Sequence, residues 1–359
     1  MKRRFPDASS NIEAKFEAQK LAFGPMMFQA ARTLRDTGVL EFLVDQLPFG
    51  ATPETIHDHL NLSIYAARVL LEGGLAANML QLDDGVYRVT KVGYLILRDP
   101  MTRVNMDFVH DVCYRAMFHF DQSIAEGRPV GLAEHGQWKT IYDGLSELPE
   151  TAQRSWFAFD HYYSDGVFER ALPKIFSRSP RRILDVGGNT GKFAFACCTF
   201  DPAVEVTIID LPGQIAVALN NAQDTGFASR VSGQSINLLD SSAVLPSGFD
   251  AIWMSQFLDC FGEDEVIRIL TRAASAMGPE ARLYILETYW DRQEHEAARY
   301  SVINTSLYFT AVANGNSKMF SFARMLACLA AAGLTIEEDF GEIGFHTLLR
   351  CKRRRTPVS

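Results

Sequence analysis

The sequence has no CxxC pair and no other metal-ligand spacing among its six cysteines, so no metal site is expected. Free, buried thiols are expected instead, the adjacent Cys197-Cys198 among them in a helical stretch, and with them a reducing, cytoplasmic compartment. Uninterrupted apolar runs fall far short of the ~20 residues that a membrane span requires, which excludes a spanning helix. A leader's apolar region is missing too. Met1-Lys2-Arg3-Arg4 is followed by Asp7, Asn11, Glu13, Lys15 and Glu17, a composition that no signal peptide has. Clustered positive charge is scarce: formal net charge is −8, and neutralising phosphates requires Lys and Arg gathered on one face. The longest basic run, Lys352-Arg353-Arg354-Arg355, is accounted for as a solvated terminus.

What is present points to two domains joined by a connector, since 359 residues exceed one ordinary compact core. Residues 1–100 read as the first domain. Apolar residues from Lys20 to Leu47 (Leu21, Phe28, Ala31, Leu34, Val39, Leu43) recur at helical spacing. Thr52-Pro53-Glu54 has the pattern of an N-cap, a first-turn proline and a first-turn acid, opening a helix through Leu60. Ser63 caps a further helix that is expected to stop at Gly73-Gly74. Met79 to Leu82 and Val86 to Val89 then flank Asp84-Gly85, a turn pair that accepts positive φ, and form a hairpin. Helices followed by a hairpin is the winged-helix order. Many such modules read DNA, but the helix from Ser63 to Leu75 offers one Arg (Arg68) and one Glu (Glu72), and residues 1–100 hold eleven basic and twelve acidic residues. Its apolar face suits packing against another subunit better than base edges and phosphates.

Residues 101–180 form a helical connector rich in aromatics, among them Phe108, Trp138, Tyr142, Trp156, Phe159, Tyr162 and Tyr163. Two readings stand side by side: packing between domains, and the roof of a pocket for a flat apolar ligand. From 181 to 359 strand-like runs (Arg182 to Val186, Val204 to Ile209, Ala251 to Met254, Arg282 to Leu286, Thr347 to Cys351) alternate with helical segments. This is the α/β pattern of a mostly parallel sheet covered by helices on both faces.

The most informative segment is Asp185-Val186-Gly187-Gly188-Asn189-Thr190-Gly191, a buried strand running into a tight turn and a helix starting near Lys192. Glycines here let the backbone approach a ligand closely and take positive φ. Nineteen residues beyond Gly191 stands Asp210, at the end of the next strand, where a carboxylate accepts hydrogen bonds from both ribose hydroxyls. The dinucleotide fingerprint GxGxxG falls at Gly187, Asn189 and Lys192 and fails at two of three places, which disfavours a nicotinamide cofactor. A sulfonium nucleoside carries no pyrophosphate and does not need that helix N-terminus.

Asp-Val-Gly-Gly-x-x-Gly followed by Asp210-Leu211-Pro212 resembles the class I small-molecule O-methyltransferases, the family of plant caffeate and flavonoid enzymes and bacterial polyketide-tailoring enzymes. The resemblance covers nearly the whole chain. It implies a Rossmann-like seven-stranded methyltransferase domain with an antiparallel last strand at Phe345 to Cys351, preceded by an α-helical winged-helix-like dimerisation domain in an intertwined homodimer. It implies S-adenosyl-L-methionine as cofactor, held by Asp185, Gly187, Gly188, Gly191, Asp210 and Leu211, with Ser255 and Gln256 on the later strand. Asn189 stands where the family usually has Gly, and asparagine tolerates left-handed backbone. The adenine-contacting acid is replaced by an amide in Asn237-Leu238-Leu239. Asn237 can meet the adenine amino group through its side-chain oxygen, or be a polar strand-end residue.

The catalytic pattern departs further. The family's catalytic His aligns with Asp259, its frequent Lys with Ser255, one flanking acid with Glu287, and the second acid with Phe322. An exposed Asp near pKa ~4 is a feeble base for a phenol near ~10; burial beside Glu287 raises it, as like charges sharing a site do. Orienting an amine, binding a cation and capping a helix are the other roles open to Asp259. His161, Tyr162 and Tyr308 are candidate acceptor contacts, while His295 and His346 read as structural. Transfer of methyl to a small, partly aromatic acceptor is therefore expected, on oxygen by family default and on nitrogen as an open alternative. The rival is a cofactor-binding dimer that transfers nothing, motivated by the replaced His.

Overall fold

The computed structural model describes residues 9–354; the basic start at residues 1–4, Asp7 and Arg355 of the basic tail lie outside them. Two compact units divide the chain, Met1–Asp107 and Phe108–Ser359. The aromatic helical segment after Phe108 belongs to the same unit as the large sheet.

In the first unit, helices Asn11–Ala22, Gly24–Asp36, Val39–Asp45, Pro53–His59 and Ile64–Ala76 precede a hairpin of β1 (Leu80–Asp83) and β2 (Val86–Val89) and the helix Lys91–Arg98. Two caps form as the sequence predicts. Thr52 Oγ1 accepts from Thr55 N at 3.2 Å and Ser63 Oγ from Ala66 N at 3.1 Å, each satisfying an orphan donor of the first turn. Asp84 and Gly85 take φ of +47° and +77°, the left-handed pair of a tight hairpin turn. The helix expected to stop at Gly73-Gly74 runs through them to Ala76. A Cβ on Gly74 would sit 2.6 Å from a Leu80 methyl, so this glycine is there for close packing of helix on strand. Leu34, Leu40, Leu43, Ile56, Leu71 and Met79 are fully enclosed and form this unit's core.

The second unit is built on a sheet of seven strands: β3 (Arg182–Val186), β4 (Glu205–Asp210), β5 (Val231–Ser235), β6 (Ala251–Ser255), β7 (Arg282–Glu287), β8 (Leu334–Ile343) and β9 (His346–Arg353). Their spatial order is β5-β4-β3-β6-β7-β9-β8. β9 is antiparallel to both neighbours, and the pairs among β3 to β7 are all parallel. Order turns at β3 and β6, and in open α/β sheets the crevice beyond the strand ends at such a switch point receives the ligand.

Apolar cores cover both faces of the sheet. Ile252, Met254, Leu283 and Ile285 face one, with helices Glu263–Ala276 and Phe322–Ala331; Ile183, Val206, Trp253 and Leu286 face the other, with helices Phe168–Phe176, Lys192–Phe200 and Pro212–Asp224. The alternation of side chains along each strand does this sorting. A third core lies among the connector helices, where Phe108, Val112 and Ile141 meet Tyr308, Val312 and Met319. All six cysteines are free. No described helix is long and apolar enough to cross a membrane.

Candidate active site

The glycine loop leaves β3 with φ of +78° at Gly187, +47° at Asn189 and +88° at Gly191. Asn189 thus adopts the left-handed backbone expected of it. A Cβ on Gly188 would lie 2.7 Å from both Asp185 Oδ2 and Ile208 Cγ2, a separation no side chain tolerates, so the loop stays bare. Asp210, at the end of β4, holds two loops at once. Its Oδ2 accepts from Asn189 N at 2.9 Å and its Oδ1 from Leu211 N at 2.7 Å. Each oxygen retains a lone pair for a further donor. Burial pushes this carboxyl up, and the two N–H groups hold it back.

Asp185 is buried and its Oδ2 has no hydrogen-bond partner among the described residues. Burial, and after it the Asp210 charge, pushes its carboxyl up to about 8. Ser255 Oγ at the end of β6 is a second buried orphan. Bare backbone, an acid with free lone pairs for a ribose diol, and unpartnered polar atoms beneath the loop fit a cationic nucleoside. Asn189 Nδ2 also reaches Asp160 Oδ2 at 3.5 Å, which brings the helix Glu150–Ser164 to the loop. Asp160 was not among the expected site residues, and nothing in Phe159-Asp160-His161 announces a contact 29 residues away.

Next to this loop β6 and β7 end side by side. Glu287 Oε1 accepts from Phe257 N at 3.0 Å and Leu258 N at 2.8 Å, pinning the turn Leu258–Cys260 that carries Asp259. Glu287 Oε2 has no partner among the described residues. Asp259 is buried, and burial pushes its carboxyl up to about 6. Glu287 is pushed well above the usual range by burial and then by the Asp259 charge. The Asp259 charge thus adds to burial in favouring the neutral form of Glu287. Asp259 sits in a short 3-10 turn ahead of the helix Glu263–Ala276, whose N-cap is Gly262, so the capping role is excluded.

Aromatic side chains wall this corner. Trp156 Nε1 donates to Tyr308 Oη at 2.7 Å. Phe108 stacks on Phe159 at 4.1 Å and meets Tyr308 edge-on at 4.9 Å. Tyr142 and Cys260 pack on the same core. Tyr308 thus sits in this aromatic corner. His161 stacks on Phe157 at 5.9 Å, on the helix stripe beside the one bearing Trp156 and Phe159, and Tyr162 packs edge-on against Tyr163. Asn237 turns its Oδ1 back to Leu239 N at 3.0 Å, and Leu238 is buried in the core. Phe322 lies under Arg292 and against Tyr289.

The Dimerisation2-like domain family matches residues 15–87 and the O-methyltransferase domain family residues 167–333. Over 329 residues the chain is 24% identical to the L-tyrosine C(3)-methyltransferase of Streptomyces lavendulae, covering 90% of this chain and 88% of the relative. It is 27% identical over 214 residues to the 3-amino-4-hydroxybenzoate 4-O-methyltransferase of Streptomyces cremeus, covering 57% of this chain and 55% of the relative. The S-adenosylmethionine-dependent methyltransferase SibL, solved in its apo form, shares the fold with a TM-score of 0.70 at 23% identity, over 94% of this chain and 98% of that one. With both domains matched in the order that the resemblance implied, the chain is an S-adenosylmethionine-dependent methyltransferase that carries a Dimerisation2-like domain ahead of an O-methyltransferase domain.

Proposed function

We propose that the chain methylates the hydroxyl of a small phenol, with Asp259 taking the phenol proton. The observation that carries this is the buried pair of Asp259 and Glu287 beside an aromatic wall. S-adenosylmethionine, when bound, supplies an electrophilic methyl on a sulfonium. The protein's part is to hold the nucleophile in line and receive its proton. Gly187, Gly188 and Gly191 offer bare backbone to the cofactor and Asp210 takes its ribose hydroxyls; Asp185, Leu211, Ser255 and Gln256 complete that side. Of the adenine segment, Asn237 keeps one amide oxygen lone pair for the base, and Leu238 supports it from the core.

Glu287, tied to two backbone amides and pushed toward its neutral form by burial and the Asp259 charge, leaves Asp259 as the charged member of the pair. Moving a proton from a phenol near ~10 to a carboxyl at about 6 is uphill by roughly 5 kcal/mol. The proton therefore leaves as the oxygen–methyl bond forms. Trp156 and Tyr308 present the wall on which a flat ring lies. The reading without methyl transfer gains nothing from a site that keeps both an acid pair and such a wall.

Carbon methylation of the phenol ring is a second reading, favoured by one observation: the relative that aligns along nearly the full length is a tyrosine C(3)-methyltransferase. In the first domain, the helix Asn11–Ala22 buries none of its residues and exposes Ile12, Phe16 and Leu21. This supports self-association into a homodimer, with the winged-helix-like module serving the subunit contact; the six free cysteines suit an enzyme working in the reducing cytoplasm.

Five outcomes are expected. Calorimetric titration gives S-adenosylmethionine binding that Asp210→Ala weakens at least about tenfold, since a charged partner of the ribose is worth ~1.5–3 kcal/mol; equal affinities in the two proteins reject this cofactor site. For phenol methylation, kcat/KM falls as pH drops through about 6, because the base must be ionised. Asp259→Asn lowers kcat/KM roughly 10²- to 10⁴-fold and removes that limb; an unchanged profile overturns the base. Mass spectrometry of product from a ring-deuterated phenol retains all deuterium for oxygen methylation and loses one for carbon methylation. Sedimentation equilibrium yields twice the chain mass, and a monomer at all concentrations rejects the homodimer.

A further inference from the structure

Asp259 is not alone in its turn. The Cys260 Sγ lies 3.6 Å from Asp259 Oδ1 and 4.0 Å from the Gln256 carbonyl, and the single thiol proton favours the nearer, charged carboxylate. The Tyr142 phenol, from the 3-10 segment Ile141–Glu147, interacts with the same sulfur. Cys260 is itself fixed through its carbonyl, which accepts from Asn314 Nδ2. Asn314 in turn accepts through Oδ1 from Asn316 N, Ser317 N and Ser317 Oγ at 3.1, 3.1 and 2.9 Å. A chain of polar contacts therefore runs from the aromatic wall through a thiol to the base, anchored where the chain leaves the helical region around Phe309–Ala313. Tyr142 and Cys260 both keep part of their surface open while packing on the aromatic core, as residues lining a cleft do.

The thiol is not a nucleophile or redox group here. Burial first, and then the Asp259 charge, pushes its pKa well above that of an ordinary cysteine, so it stays S–H and keeps its proton to donate. Facing it are Asp259 on its own turn, Glu287 from β7 and Tyr142, with Tyr308 adding its phenol from the helix Glu296–Tyr308. None of these is a cation. Among such neighbours a donor aimed at one carboxylate oxygen settles which oxygen is spoken for.

Resting on the reading of Asp259 as base, we propose that Cys260 and Tyr142 are positioning residues. The Cys260 thiol occupies Asp259 Oδ1 and leaves the other oxygen to receive the acceptor's proton, and the Tyr142 phenol orients that thiol. Neither forms a bond to the methyl group, and the proton that leaves the acceptor ends on Asp259.

The test compares Cys260→Ala, Cys260→Ser and Tyr142→Phe with Asp259→Asn in pH–rate profiles on the phenol that the protein methylates. Melting temperature and S-adenosylmethionine titration report folding. Cys260→Ala is expected to lower kcat about tenfold with KM little changed, and to move the acid limb up by about half a pH unit, because a donor that favoured the charged carboxylate is gone. Cys260→Ser, which restores a donor, returns both toward the parent, and Tyr142→Phe shifts the limb the same way by less. A Cys260→Ala profile that superimposes on the parent, or a serine variant as impaired as the alanine one, overturns the proposal. If Cys260→Ala does not fold, Tyr142→Phe decides: an unmoved limb overturns it. Should Asp259→Asn keep full rate and limb, the base reading fails and the relay with it; should Asp259→Asn be inactive while the other variants match the parent, only the relay fails.

Discussion

A parallel sheet ends in loops whose backbone N–H groups have no strand beyond them to pair with, and side chains at those ends must supply acceptors. In this protein carboxylates meet that requirement. Asp210 takes the amides of Asn189 and Leu211, and Glu287 takes those of Phe257 and Leu258. The glycine loop and the turn of Asp259 are each fixed by one acid from a neighbouring strand. The acids that hold the backbone in place thus stand at the strand ends where the sheet opens its crevice.

Much of this was legible because it is local. Five strands appear as apolar runs, and the loop with Asp210 nineteen residues on is written in contiguous residues. β5 and β8 were not among the runs, for identifiable reasons. Val231–Ser235 is an edge strand of mostly polar residues, and Leu334–Ile343 is an edge strand broken by two irregularities in its pairing with β9. The acids of β8 serve a charge network, in which Glu337 meets Arg282 at 2.8 Å and Arg350 at 3.0 Å; an alternation test sees only the loss of apolar character. The last strand runs antiparallel, as the family resemblance implied.

The acceptor corner was the least legible part. Its members come from residues 142, 156, 260, 308 and 314, and no spacing rule links them. The aromatic wealth of 108–163 marked the region without saying which ring faces which. Trp156 and Tyr308, 152 residues apart, could be joined only by the fold. His161 looked attractive for its chemistry, but the helix repeat sets it on the stripe with Phe157. Asp259 and Glu287 were found by alignment to a resemblance, and burial supplies the physical reason that an Asp can stand there.

Glu287 satisfies the backbone at Phe257 and Leu258 through contacts in which the side chain at 259 takes no part. The turn is therefore pinned to the sheet whatever group it displays, although that group's charge is felt by Glu287. A scaffold of this kind separates architecture from reactivity: the residue at its tip can drift from one proton acceptor to another while the loop keeps its shape. That division of labour lets one fold accumulate different chemistries by changing a single displayed side chain and the few groups that aim it.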